Sequence, residues 1–255
     1  MAIVISMMSK KGGAGKSTMT KLMASAFLFT GKKCLLIDMD ESDDSVEWWQ
    51  TGVQNNLTDE KLIARRAETG DELFEIINKY EPEVDFIIID TKGEGVDYAV
   101  ELASVSDVLL VPCMNARGDR KRASETLSWY NDLKERSENP SALPALHIVL
   151  ARVQPGLFTH VRGNPKPDKI GEREFERHYE IIDQFNPLYT MVPEKAQYRE
   201  MDEQGVLGAI IEKMRTSPDP KDRVRVTHWE VAMSHAITLI NNVFSGRKMR
   251  QEDGA

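Results

Sequence analysis

Cysteine is scarce in this 255-residue sequence. Cys34 and Cys113 each sit inside an apolar run, with no C-x-x-C or Cys/His ligand spacing, so both are expected to be core thiols. Positive charge is also in deficit: 33 Lys and Arg stand against 41 Asp and Glu, a net charge of −8. That balance excludes a protein that is basic all over, and any nucleic-acid contact must use a local patch. No stretch approaches the roughly 18–20 apolar residues that span a bilayer, which predicts a cytoplasmic protein with membrane binding unlikely to be its task. The opening MAIVISMMSKKGG has no basic segment before its apolar run and meets a glycine loop at once, so it reads as a first strand rather than a signal peptide. Internal repeats and low-complexity tracts are absent.

What is present describes an ordinary globular chain: 41% hydrophobic and 29% charged residues, enough length for one large α/β domain over 1–255. Short apolar runs at 2–7, 34–38, 85–90, 108–112 and 147–151 read as buried strands, with LIARRA at 62–67 a further candidate. Helical patterns lie between and after them, at about 15–30, 71–80, 96–104, 119–136, 172–184, 206–215 and 228–245. Runs such as FIIID and VLLVP are apolar on both faces, which suits a doubly wound, mainly parallel sheet with helices on both faces. Residues 154–171 hold three prolines and three glycines and read as a loop or insertion, and SPDPKD at 217–222 reads as a breaker before the final helix. Trp48 and Trp49 fall on a short helix, where packing is preferred over a partner contact.

The first strand runs through SKKGGAGKST into a helix near Lys16, the order a phosphate site requires. Gly12, Gly13 and Gly15, with Ala14 between them, let backbone N–H groups converge on phosphate oxygens at the positive end of the helix. Lys16 would reach the β- and γ-phosphates, Ser17 would offer its hydroxyl to Mg²⁺, and Thr18 would contact the α-phosphate. The spacing G-x-x-x-x-G-K-[ST] fails at its first position, where Lys10 replaces glycine. FIIIDTKGEG ends an apolar run on Asp90, placed to hold Mg²⁺ through a water, with Gly93 completing D-x-x-G.

The form K-G-G-x-G-K-[ST], carried by Lys11, Gly12, Gly13, Gly15, Lys16 and Ser17, resembles the deviant Walker A loop of the ParA/MinD superfamily. The resemblance implies a P-loop NTPase fold, ATP and Mg²⁺ as ligands, and an ATPase. It also implies that Lys11 crosses a homodimer interface to the partner's phosphates, although spacing alone leaves Lys10 as a competitor. LLIDMDESDD resembles the family's switch, so Asp38 is expected in the Mg²⁺ shell and Asp40 beside the attacking water; a solvated acidic loop is the plainer alternative. Glu41 and Ser42 replace the Pro-Gln of many partition ATPases, and Lys92 to Gly95 replace a proline pair. YTMVPEKAQYREMDEQG resembles the family's late segment, which puts Pro193 near the nucleotide base.

Such switches hydrolyse slowly and use ATP to set a binding state. The resemblance therefore implies an ATP dimer that positions or segregates DNA or a DNA-transfer complex, an adaptor that stimulates hydrolysis, and nucleoid or polar association. The run FEIINKYEPEVDFIIIDTKGEG, the DMDES switch and the long C-terminal part resemble ParA-like proteins of plasmid transfer, including those serving T-DNA transfer. Basic clusters at 117–122, 213–225 and 247–250 are candidates for non-specific DNA contact, equally readable as solvated faces. A MinD-like membrane switch is the rival, against which the polar ending SGRKMRQEDGA counts. A metabolic ATP-dependent enzyme of the superfamily is another, and a nitrogenase-type iron–sulfur reductase is opposed by the placement of the cysteines.

Overall fold

A computed structural model describes residues 1–9, 15–91, 98–158 and 170–250. Its strands are β1 (Ile3–Met7), β2 (Cys34–Asp38), β3 (Leu62–Arg66), β4 (Phe86–Asp90), β5 (Val108–Cys113), β6 (Ala145–Val153) and β7 (Met191–Pro193). Its helices are α1 (Lys16–Phe29), α2 (Asp44–Gln54), α3 (Gly70–Tyr80), α4 (Ala99–Val105), α5 (Arg117–Arg136), α6 (Pro155–Phe158), α7 (Glu172–Phe185), α8 (Ala196–Gln204), α9 (Leu207–Arg215) and α10 (Pro220–Ser245). The strands form one sheet in the order β3-β2-β4-β1-β5-β6-β7, and every pairing is parallel.

Alternation along each strand divides the core between the two faces of the sheet. Ile5, Leu36, Ile88 and Leu110 pack with α1, α9 and α10 on one face. On the other, Val4, Leu35, Ile37 and Ile89 pack with α3, while Leu109, Val111 and Ile148 pack with α5 and α7. Helix α1 is buried almost all round because it lies between the sheet and the pair α9 and α10. Cys34 and Cys113 are free, buried and on opposite faces. Trp48 is likewise core, donating its Nε1–H to the Met201 carbonyl at 2.9 Å, and Trp49 packs half-buried beside it.

Two expectations are corrected. Residues 154–171 are not wholly irregular, because Pro155–Phe158 forms α6 directly after β6, with proline at the first helical position. The final helix begins at Pro220, not near 228: Asp219 caps it by accepting the Lys221 N–H at 2.8 Å, so the apparent breaker is a start signal. The first turns of α10 carry exposed Val224 at 73% of its free surface, which hides the apolar periodicity there.

Helices α2 and α8 are locked together at two glycines. Gly205 has φ +136°, and a Cβ there would lie 2.3 Å from the Leu57 carbonyl oxygen and 2.9 Å from Gly52 Cα. That same carbonyl accepts the Val206 N–H at 2.7 Å, and the Asn55 side chain donates to the Gln204 carbonyl at 3.0 Å.

Candidate functional site

β1 is the central strand, with β2, β3 and β4 to one side and β5 to β7 on the other, so the chain changes winding direction at its carboxyl end. In open parallel sheets that crevice is where ligands bind. Helix α1 is the next element after β1, and its N-cap Gly15 sits at φ 90°, a left-handed conformation that favours glycine. Lys10, Lys11, Gly12, Gly13 and Ala14, like Gly93, lie outside the described residues.

Asp38 and Asp90 end β2 and β4 as register partners, and alternation points both toward the face occupied by α1. Both are buried, as is Lys16 at the start of α1. Asp38 accepts backbone N–H groups from Asp40 (2.9 Å), Ser45 (2.7 Å) and Val46 (3.4 Å). It therefore caps α2 at that helix's second and third residues, a task the helix's own N-cap residue, Asp43, does not perform. Ser45 also donates its hydroxyl to Asp90 Oδ2 at 2.8 Å. Asp90 Oδ1 is buried with no hydrogen-bond partner among the described residues.

Burial pushes the Asp90 carboxyl up to about 6, and the Asp38 charge adds to this. The hydroxyls of Ser45 and Ser17 and the Lys16 ammonium pull it back. Burial likewise raises Asp38 despite its three backbone donors, with the Asp40 charge a further raising influence. Lys16 is lowered by burial, opposed by the charges of Asp90 and Asp40. A cation at this point would relieve both carboxylates. The orphaned Asp90 oxygen beside the Ser17 hydroxyl is an oxygen donor set that fits Mg²⁺, which takes few protein ligands and leaves positions for phosphate and water.

Above these groups opens a cleft of about 480 Å³. Its walls bring together Gly15, Lys16, Ser17 and Thr18 from α1, Asp40 from the acidic segment, and Pro193 from the end of β7. Arg152, Tyr198 and Asp202 complete the far side, and Lys21 on α1 forms an ion pair with Asp202. Ser45 was not among the residues expected from the sequence. Nothing in DESDDS singles it out, and its position as the second residue of a helix capped from another strand is visible only in three dimensions.

Some members of the basic clusters are engaged within the chain. Arg120 pairs with Glu180 and Arg122 with Asp119, each at 2.6 Å, Arg215 pairs with Glu230 at 2.6 Å, and Arg247 lies over the Tyr189 ring at 4.1 Å. Among the described residues no helix is long and apolar enough to cross a membrane.

The model of the VirC1 protein family matches residues 1–246. The chain belongs to the VirC1 family. Protein virC1 of Rhizobium radiobacter is 25% identical over 232 residues, covering 91% of this chain and 93% of that protein. Protein ParA of the same species is 23% identical over 158 residues, covering 62% and 68%. Solved structures share the fold of this VirC1-family chain. Apo McdA of Cyanothece has a TM-score of 0.60 at 14% identity, covering 91% of this chain and 100% of McdA. MinD of Aquifex aeolicus has a TM-score of 0.56 at 18% identity, covering 94% and 98%. Cobyrinic acid a,c-diamide synthase of Mycobacterium smegmatis, solved with an ATP analogue and magnesium, has a TM-score of 0.58 at 13% identity and covers the whole of both chains. The VirC1-family chain thus has the P-loop NTPase fold seen in ParA/MinD-like proteins.

Proposed function

We propose that this chain is an ATP-operated switch of the ParA kind. It binds ATP and Mg²⁺ in the cleft, pairs with a second copy while ATP is bound, hydrolyses slowly, and in the paired state holds DNA or a DNA-transfer complex. The observation that supports this reading is that Lys16, Ser17 and Asp40 line the cleft while the buried register partners Asp38 and Asp90 act on them electrostatically and by hydrogen bonding. Backbone N–H groups of Gly12, Gly13, Ala14 and Gly15 cradle the phosphates, Lys16 neutralises the β- and γ-oxygens, and Thr18 faces the α-phosphate. Ser17, Asp38 and Asp90 would hold Mg²⁺, which would supply charge neutralisation at the phosphates. Asp40 orients the attacking water, and Pro193 lies against the base. Lys11 reaches the partner's phosphates, so a lone copy lacks one cation at the charge that develops on the γ-phosphate.

DNA contact is assigned to the clusters at 117–122, 213–225 and 247–250, each doubled by pairing, with an adaptor protein stimulating release. Lys16→Ala should abolish binding of a fluorescent ATP analogue, while Asp40→Ala should keep binding, slow hydrolysis and accumulate a dimer with ATP on size exclusion. If wild type and Asp40→Ala both stay monomeric with ATP, the switch reading is wrong.

A further inference from the structure

Asp90 is an unusual metal-site carboxylate because its two oxygens are treated so differently. Oδ2 is held by the Ser45 hydroxyl at 2.8 Å, and Oδ1 is buried with no hydrogen-bond partner among the described residues. Ser45 is itself fully buried. Its backbone N–H is fixed at 2.7 Å on Asp38 Oδ2, so the residue that orients Asp90 is anchored on the other carboxylate. Rotation of the Asp90 carboxylate would break the Ser45 contact, which leaves one oxygen committed to protein and the other directed to a cation. Loss of a hydrogen bond that orients a ligating side chain typically costs about 10- to 100-fold in metal affinity.

We infer that Ser45 is a positioning residue for the cation: its hydroxyl fixes the Asp90 carboxylate so that Oδ1 faces the metal, and its N–H holds Asp38 in register beside it. The inference rests on the nucleotide and Mg²⁺ reading of the site. Ser45 touches neither nucleotide nor metal and acts through the two aspartates. It also joins that pair to α2, whose Trp48 is tied to the Met201 carbonyl on α8.

The test is a Mg²⁺ titration of the purified full chain at a fixed concentration of fluorescent ATP analogue, with a parallel measurement in EDTA. Ser45→Ala should need about 10- to 100-fold more Mg²⁺ for half-maximal binding, the range for loss of an orienting partner. Its EDTA binding should match wild type, and Ser45→Thr, which keeps the hydroxyl, should titrate near wild type. An unchanged Mg²⁺ requirement in Ser45→Ala overturns the positioning role. So does equal weakening in EDTA, or equal weakening by Thr, since either marks Ser45 as packing alone. A wild type whose nucleotide binding ignores Mg²⁺, or that binds no nucleotide, overturns the reading of the site and this inference with it.

Discussion

Gly205→Ala tests whether the far wall of the cleft is built as described. The backbone there, at φ +136°, is a region that side chains rarely adopt, and forcing alanine into such a conformation costs about 1–3 kcal/mol. The added Cβ would also sit 2.3 Å from the Leu57 carbonyl oxygen and 2.9 Å from Gly52 Cα. Both are backbone atoms that cannot rotate away, so an overpacking cost of about 1–3 kcal/mol adds to the first. Moving Leu57 also disturbs its 2.7 Å bond from the Val206 N–H. A total of about 4 kcal/mol is expected from these two ranges, a large part of the ~5–15 kcal/mol that holds a typical domain. For a chain of this size that corresponds to a fall in melting temperature of roughly 8–16 °C. Thermal unfolding followed by circular dichroism, with urea denaturation alongside, measures it. A variant that melts within about 2 °C of wild type, no more than about 1 kcal/mol on that scale, refutes the close packing of α2 on α8.

Other outcomes concern the carboxylates and thiols. The Asp90 carboxyl sits at about 6 in the folded chain against 3.8 unfolded, so its contribution to stability is fully present below pH 3.8 and is lost as pH rises through 6. Without nucleotide or metal, Asp90→Asn should therefore be more stable than wild type at pH 7–8, with the advantage vanishing near pH 4; urea midpoints across pH decide, and a less stable Asn variant at pH 8 contradicts the electrostatics. Burial pushes Cys113 up to about 12 and raises Cys34 further, so both thiols should resist a thiol-reactive dye at pH 8 until denaturant is added. Prompt labelling of the native chain would show that the sheet faces are not closed over them.

Much of the fold is legible in the sequence because parallel strands buried on both faces give continuous apolar runs. VLLVP and FIIID, at the heart of the sheet, are such runs. The edge is harder to read. β7 is three residues long and ends in proline, and α8, AQYREMDEQ, buries only Tyr198 and Met201. The α10 start fails for a different reason: its cap, Asp219-Pro220, has the chemistry of a turn as well as of a helix N-terminus. At the site, Gly15 to Thr18 are legible from spacing because phosphate binding is a local task of one turn. Asp38 and Asp90 are legible as strand-ending aspartates, but their side-by-side register and the Ser45 link depend on strand order, which no local pattern encodes.

The register that sets Asp38 beside Asp90 has a consequence for the lifetime of the protein. Two carboxylates drawn from water and placed together make the empty chain the less durable form, and any ligand that occupies only the folded site adds stability in proportion to its saturation. Proteases sample the opened state, so a ligand that occupies only the folded site would slow proteolysis of the chain. On the proposed reading of the site, the same pair of aspartates would tie the durability of the protein to the supply of its ligand.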